Sequence, residues 1–187
     1  MNMARGKLAR RSRLAVATFL AMGGLTMGGP MPHAEQVFLA DAAGAEHAIG
    51  SIEFKDDGSY ALDIDHSVFK DFFLSMKEMK CLEGREIWCH IPYPYAMPRE
   101  VRDGDYRWLS QDLLFMYKSP KEFGANLWQG IYYRFEESED GLIGTAMHVD
   151  LNELAAPPES LDAPYYDESW LEPVNAQDRW LPALIIR

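Results

Sequence analysis

The chain predicts an α+β fold: antiparallel β-hairpins forming a curved sheet or small open barrel, packed with two helices and followed by an extended C-terminal segment. Three observations predict it. Short alternating runs are separated by turn sequences such as Asp57-Gly58 and Asp140-Gly141. Two apolar stripes recur at helical spacing, and no strand–helix–strand alternation runs along the chain. The sequence shows no dinucleotide or phosphate glycine fingerprint and no nucleophile elbow.

Residues 1–34 read as a signal peptide and 35–187 as a single α+β domain. Arg5, Lys7, Arg10, Arg11 and Arg13 precede an apolar or small stretch over 14–27, and Gly28, Gly29, Pro30 and Pro32 break it. These are the basic, apolar and breaker regions of an export signal; Ala34 is the best-placed last residue to be removed, while 40–42 and 43–45 match the small-x-small cleavage rule better but lie far from the apolar stretch. The stretch falls short of the roughly 20 apolar residues a membrane span needs, so no span remains once the signal is gone. The absence of any Asn-x-Ser/Thr sequon favours a bacterial envelope, periplasmic or extracellular.

Export changes the charge. The full chain carries 18 basic and 29 acidic residues, net −11, but residues 1–34 hold five of the basic residues and no acidic one. Residues 35–187 therefore keep 13 basic against 29 acidic residues, net −16. Such a surface repels nucleic acid and anionic lipid, with no basic cluster to offset it, and it would steer a cationic envelope protein.

Within the domain, 36–39 and 49–54 read as strands, 55–59 as a tight turn, and 60–65 as a half-buried strand with Tyr60, Leu62 and Ile64 inward. Ser67 is placed to cap a helix over 67–79 whose apolar face is Phe69, Phe72, Phe73 and Met76. Cys81 and Cys89 are the only cysteines, and a hairpin centred near Arg85 sets them opposite each other, as a structural disulfide requires in an oxidising compartment. Seven intervening residues do not fit the two-residue spacing of a redox pair, and His90 alone does not complete a zinc site.

Three prolines in 92–98 forbid a helix there and leave an extended segment. Tyr93 and Tyr95 point the same way on it, and with His90 they form the candidate contact surface. The alternative is that the tyrosines cover the core beneath a long connection. A second helix runs from Asp103 or Asp105 to Lys118, carrying Trp108, Leu109, Asp112, Leu113 and Met116, and Pro120 ends it. Residues 127–137 and 142–151 form the clearest hairpin, in which Gly130 and Gly144 mark a bend or a close backbone approach. Beyond Ala155 an acidic, proline-rich tail docks through Trp170, Trp180, Leu181, Leu184 and Ile185, and 184–187 closes as an edge strand.

No catalytic, cofactor-binding or metal-binding residue is assigned. A metal reading would join His148 and Asp150 to Asp63, Asp65 or His66. A hydrolase reading would use carboxylates for acid and base work, with Asp112 the most unusual because it interrupts an apolar helical turn; pairing with an arginine would explain it as well. The sequence favours an exported, acidic, non-enzymatic binding or accessory protein of the bacterial envelope, for instance an inhibitor of a cationic hydrolase, with a small periplasmic hydrolase as the alternative.

Overall fold

Eleven antiparallel strands and a single short α-helix make up the structure, a computed structural model that describes residues 34–74, 77–155, 157, 160, 161 and 168–187. The strands are β1 Glu35–Ala40, β2 Glu46–Phe54, β3 Tyr60–Ile64, β4 Lys70–Phe73, β5 Glu78–Glu83, β6 Ile87–His90, β7 Phe115–Lys118, β8 Gly130–Ser138, β9 Gly141–Val149, β10 Glu172–Pro173 and β11 Ala183–Ile186. The helix, α1, is Arg107–Asp112. The signal-peptide reading of 1–34 falls almost wholly outside the described residues.

The strands form one sheet in the order β3-β2-β1-β11-β9-β8-β7-β6-β5-β4, with β10 added to β9. Its two outermost strands, β3 and β4, are consecutive in the chain and joined by residues 65–69 alone. Laid flat, ten strands would separate those edges by about 43 Å at the usual strand spacing. A five-residue link reaches only about 20 Å at full extension. The sheet must therefore curl, and it forms a half-barrel.

Alternation along the strands builds two cores on this curl. The inner one gathers Val37, Ile52, Tyr60, Leu82, Trp88, Phe115 and Tyr133, so that β3 and β5, near opposite edges, share one cluster. The outer one gathers Cys81, Cys89, Leu114, Met116, Tyr132, Met147 and Val149. Gly144 faces inward; a Cβ there would lie 2.9 Å from Tyr133 and Phe135 side-chain atoms, so the missing side chain is what lets those rings pack.

The expected α+β class with two helices is corrected to an antiparallel β fold with one short helix. Over 67–79, Asp65 accepts a hydrogen bond from Ser67 N and caps only the 3-10 turn His66–Val68. The chain then enters β4, which pairs with β5 from Lys70↔Cys81 to Phe73↔Glu78. Phe69 packs in the inner cluster and Phe72 against the outer one. Their three-residue spacing, read as one helical face, belongs to two opposite strand faces. Met76 lies outside the described residues.

The helix expected to reach Lys118 stops at Asp112, and residues 115–118 are strand β7. All four β7 residues are buried because both faces of this central strand are covered. An apolar run with no alternation is common to a buried helix and a doubly covered strand, so periodicity could not separate them. The N-cap position is Tyr106, which makes no side-chain cap, and the Asp105 carboxylate accepts from the main-chain N–H of Arg107, the first helical residue, at 3.0 Å and from its guanidinium. The strand expected at the sheet edge over 184–187 is instead interior, with β11 between β1 and β9.

The cysteine hairpin forms as β5–β6, with Cys81 opposite Cys89, their Cα atoms 3.9 Å apart and a disulfide between them. Both cysteines are wholly buried in the outer core. The Cys81→Ala/Cys89→Ala double variant should lose about 2–3 kcal/mol in urea denaturation, the loop-closure term for so short a loop. Gln111, on α1, is also wholly buried, and neither atom of its side-chain amide has a hydrogen-bond partner. Gln111→Met keeps the volume and removes the orphaned polar atoms, so it should stabilise the protein by about 1–2 kcal/mol in the same assay. A loss of stability would show that the amide is satisfied.

Candidate functional site

Strand alternation on β6 sends Trp88 inward, Cys89 outward to the disulfide, and His90 inward at the strand's end, where Pro92 halts pairing. The His90 ring is 8 % exposed and packs against Phe115, with centroids 5.4 Å apart. Its Nε2 lies 3.1 Å from the main-chain carbonyl oxygen of Asp112. A carbonyl can only accept, so Nε2 carries the proton, and the neutral ring keeps its lone pair on Nδ1. Burial pushes the imidazole below its ordinary pKa, and the charge of His66 adds to that; the Asp112 carbonyl and carboxylate pull the other way. His90 is thus a neutral, oriented imidazole at pH 7.

Behind it stands a polar network. The Asp112 carboxylate meets Arg99 at 2.8 Å through Nε and at 3.2 Å through Nη2, and the Tyr60 hydroxyl reaches it at 3.5 Å. Arg99 arrives because its strand-like segment pairs with the start of β3, Tyr60 N donating to Arg99 O at 2.9 Å and Val101 N to Gly58 O at 2.8 Å. Burial, and then the charge of Asp112, hold the Tyr60 hydroxyl well above its ordinary pKa, so it stays a protonated donor. The network joins β3, α1 and β6 across the seam that the curled sheet leaves open. The carboxylate that looked like a candidate acid or base is occupied in this ion pair.

A cleft of about 620 Å³ opens beside His90. His66, residues 77–80 and the segment from His90 to Pro94 line it. Of the three residues of the expected contact surface, His90 and Tyr93 border this cleft. Tyr93 is buried, and Tyr95 is half-buried with its ring edge-on to Tyr93 at 5.7 Å. Both tyrosines pack on the outer core over the disulfide.

The other candidates are not brought together. His148 faces Glu172 across β9–β10, and Asp150 accepts hydrogen bonds from the main chain and side chain of Asn152. Asp63 is on β3, four strands from β9 in the sheet order, and Asp65 and His66 follow it in the link to β4, where His66 lines the cleft beside His90. Among the described residues no group of three or more His, Cys, Asp or Glu side chains is arranged to hold a metal ion. The network was not legible in the sequence, because Tyr60 and Asp112 are 52 residues apart and His90 and Asp112 are 22 apart. The one available signal was the isolation of Asp112 among apolar neighbours, which called for an arginine.

No protein-family model matches the chain, and neither the curated proteins nor the solved structures contain a match to it.

His90 makes stability depend on pH. Its folded pKa lies below the ordinary value of about 6.5, so its stabilising contribution is complete above that value and is withdrawn as the unfolded chain takes up a proton on acidification. The lowered carboxylates Asp57, Asp65, Asp71 and Asp105 titrate below this window. The Tm should therefore fall between pH 7 and 5, by about 2–4 °C for each kcal/mol withdrawn. In His90→Gln that part of the slope should vanish. Parallel Tm–pH curves for the two proteins would refute the assignment.

Proposed function

We propose that this is an exported, non-enzymatic binding or accessory protein of the bacterial envelope, and that the cleft beside His90 receives an apolar peptide segment bearing a hydrogen-bond donor. The observation that carries the reading is the cleft itself, with a neutral, oriented imidazole in a largely apolar wall of Ile91, Pro92, Tyr93 and Met79. Its volume suits a drug-sized ligand or a few side chains. The imidazole supplies one directional acceptor, which fixes orientation, while the prolines hold the wall stiff and reduce the entropy lost on binding.

Export is supported by the basic and apolar character of residues 1–34 and by the Cys81–Cys89 disulfide. Binding is favoured over carboxylate catalysis because Asp112 is ion-paired with Arg99 and, among the described residues, no second carboxylate joins it in the network with Tyr60. The acidic remainder of the surface is suited to a cationic envelope partner, which its charge would steer.

Titration of the ¹⁵N-labelled protein with a panel of short apolar peptides tests the cleft. Saturable amide shifts should cluster at 77–80 and 90–93. His66→Trp, which adds bulk at an exposed position of the lining, should weaken binding at least about fivefold, roughly 1 kcal/mol. Shifts confined to another face, or equal affinity in that variant, would defeat the reading.

A further inference from the structure

The three places where the export signal could end fall at different points of the fold. Ala34 is exposed and lies immediately before β1. Residues 40–42 span the end of β1 and the start of its turn, and 43–45 complete that turn before β2. Both of these match the small-x-small rule better than Ala34 does, but their small residues serve the turn. The Asp41 carboxylate accepts from Ala43 N at 2.9 Å and from Ala45 N at 2.8 Å, while Asp41 N donates to Ala45 O at 2.9 Å. Gly44 takes a φ of 86°, a conformation that favours glycine.

A cut at either turn position would remove β1. That strand lies between β2 and β11, in register with β2 from Glu35↔Ile52 to Ala40↔Glu46 and with β11 from Val37↔Ile186 to Ala40↔Ala183. Val37 and Leu39 are wholly buried in the inner core. Without β1, two interior strands would become open edges and the inner core would lose both side chains. A cut after Ala34 leaves all of this in place, because Glu35 is the first residue of β1.

On the reading that residues 1–34 are an export signal, and independently of the cleft, we propose that the signal is removed between Ala34 and Glu35 and that the cut is made before the sheet closes. Proteolysis needs accessible chain whose backbone is not tied into its own fold. Glu35 and Gln36, the two residues beyond the bond, are tied in once the protein has folded. They oppose Ile52 and Ser51 on β2, and Gln36 also exchanges backbone hydrogen bonds with Arg187, at 2.8 Å from its N–H and 3.1 Å to its carbonyl. Freeing them would mean lifting the start of a strand held on both sides. The topology supplies the interval for the cut. β1 pairs with β11, the last strand in the chain, so Glu35 and Gln36 are not locked in until the final residues have emerged.

Cell-free synthesis of the full-length chain with a detergent-solubilised bacterial signal peptidase tests both parts. Peptidase present during synthesis should release a product whose N-terminal sequence begins at Glu35. Added after folding and oxidation, it should cut at least about tenfold less of the chain, because cleavage then waits on a rarely opened form. Ala34→Leu, which puts a bulky residue where the rule requires a small one, should abolish the cut. Ala42→Leu, at an exposed turn position, should leave it unchanged. A product beginning at Ala43 or Glu46 would overturn the assigned site and leave the export reading standing. Equal cleavage of nascent and folded chains would overturn the order of events. No cleavage under either condition would overturn the assignment and the export reading together.

Discussion

Five residues join the two outermost strands of the sheet, and the rest of the architecture depends on how short that link is. The sheet cannot stay flat and keep its edges within reach of residues 65–69. Curling brings the inward faces of β1–β3 against those of β5–β9, so one apolar cluster fills the interior. The same curl leaves a seam between β3 and the β4–β6 side. Tyr60, Arg99, Asp112 and the His90 ring occupy that seam, and α1 enters it to deliver Asp112. A polar network is suited to this place, since its members come from elements that would otherwise have unpaired groups at an edge.

The outer face carries a second constraint. Because β7 is central, Leu114 and Met116 must be covered on the side away from the interior. The disulfide lies within that outer layer, and Tyr93, Tyr95 and Ala125 close over it. The proline-rich segment is thus both cover and cleft wall. His90, one residue beyond Cys89, inherits its position from the alternation that sends the cysteine outward. The staple and the candidate binding group are two consequences of one strand register.

Legibility in the sequence followed the reach of the forces involved. The hairpins β2–β3, β5–β6 and β8–β9 depend on local alternation and short turns, and their residues announce both. The predicted helices failed where a local pattern had two readings. Phe69 and Phe72 share a helical face but lie on opposite faces of an extended chain, and 113–116 is apolar in any conformation. Pairing with β5 decided the first case, and burial between β6 and β8 decided the second. At the candidate site, His90 was singled out from its place beside Cys89 and the proline segment. Its contact with Asp112 and the partnership with Arg99 and Tyr60 were not, because no local rule relates residues so far apart in the chain.

By itself the sequence determined the disulfide partners, the positions of most strands along the chain, the signal-like composition of residues 1–34 and the acidic balance of the remainder. These depend on neighbours along the chain or on totals over it. Tertiary structure alone decided that β11 is interior, that one short α-helix remains among the described residues, that Asp112 is neutralised by Arg99, and that Phe73, Phe123 and Trp128 stay exposed. Each of these depends on which distant segments the curled sheet brings together, and that follows from closing the sheet across residues 65–69, a condition on the whole chain that no local segment encodes.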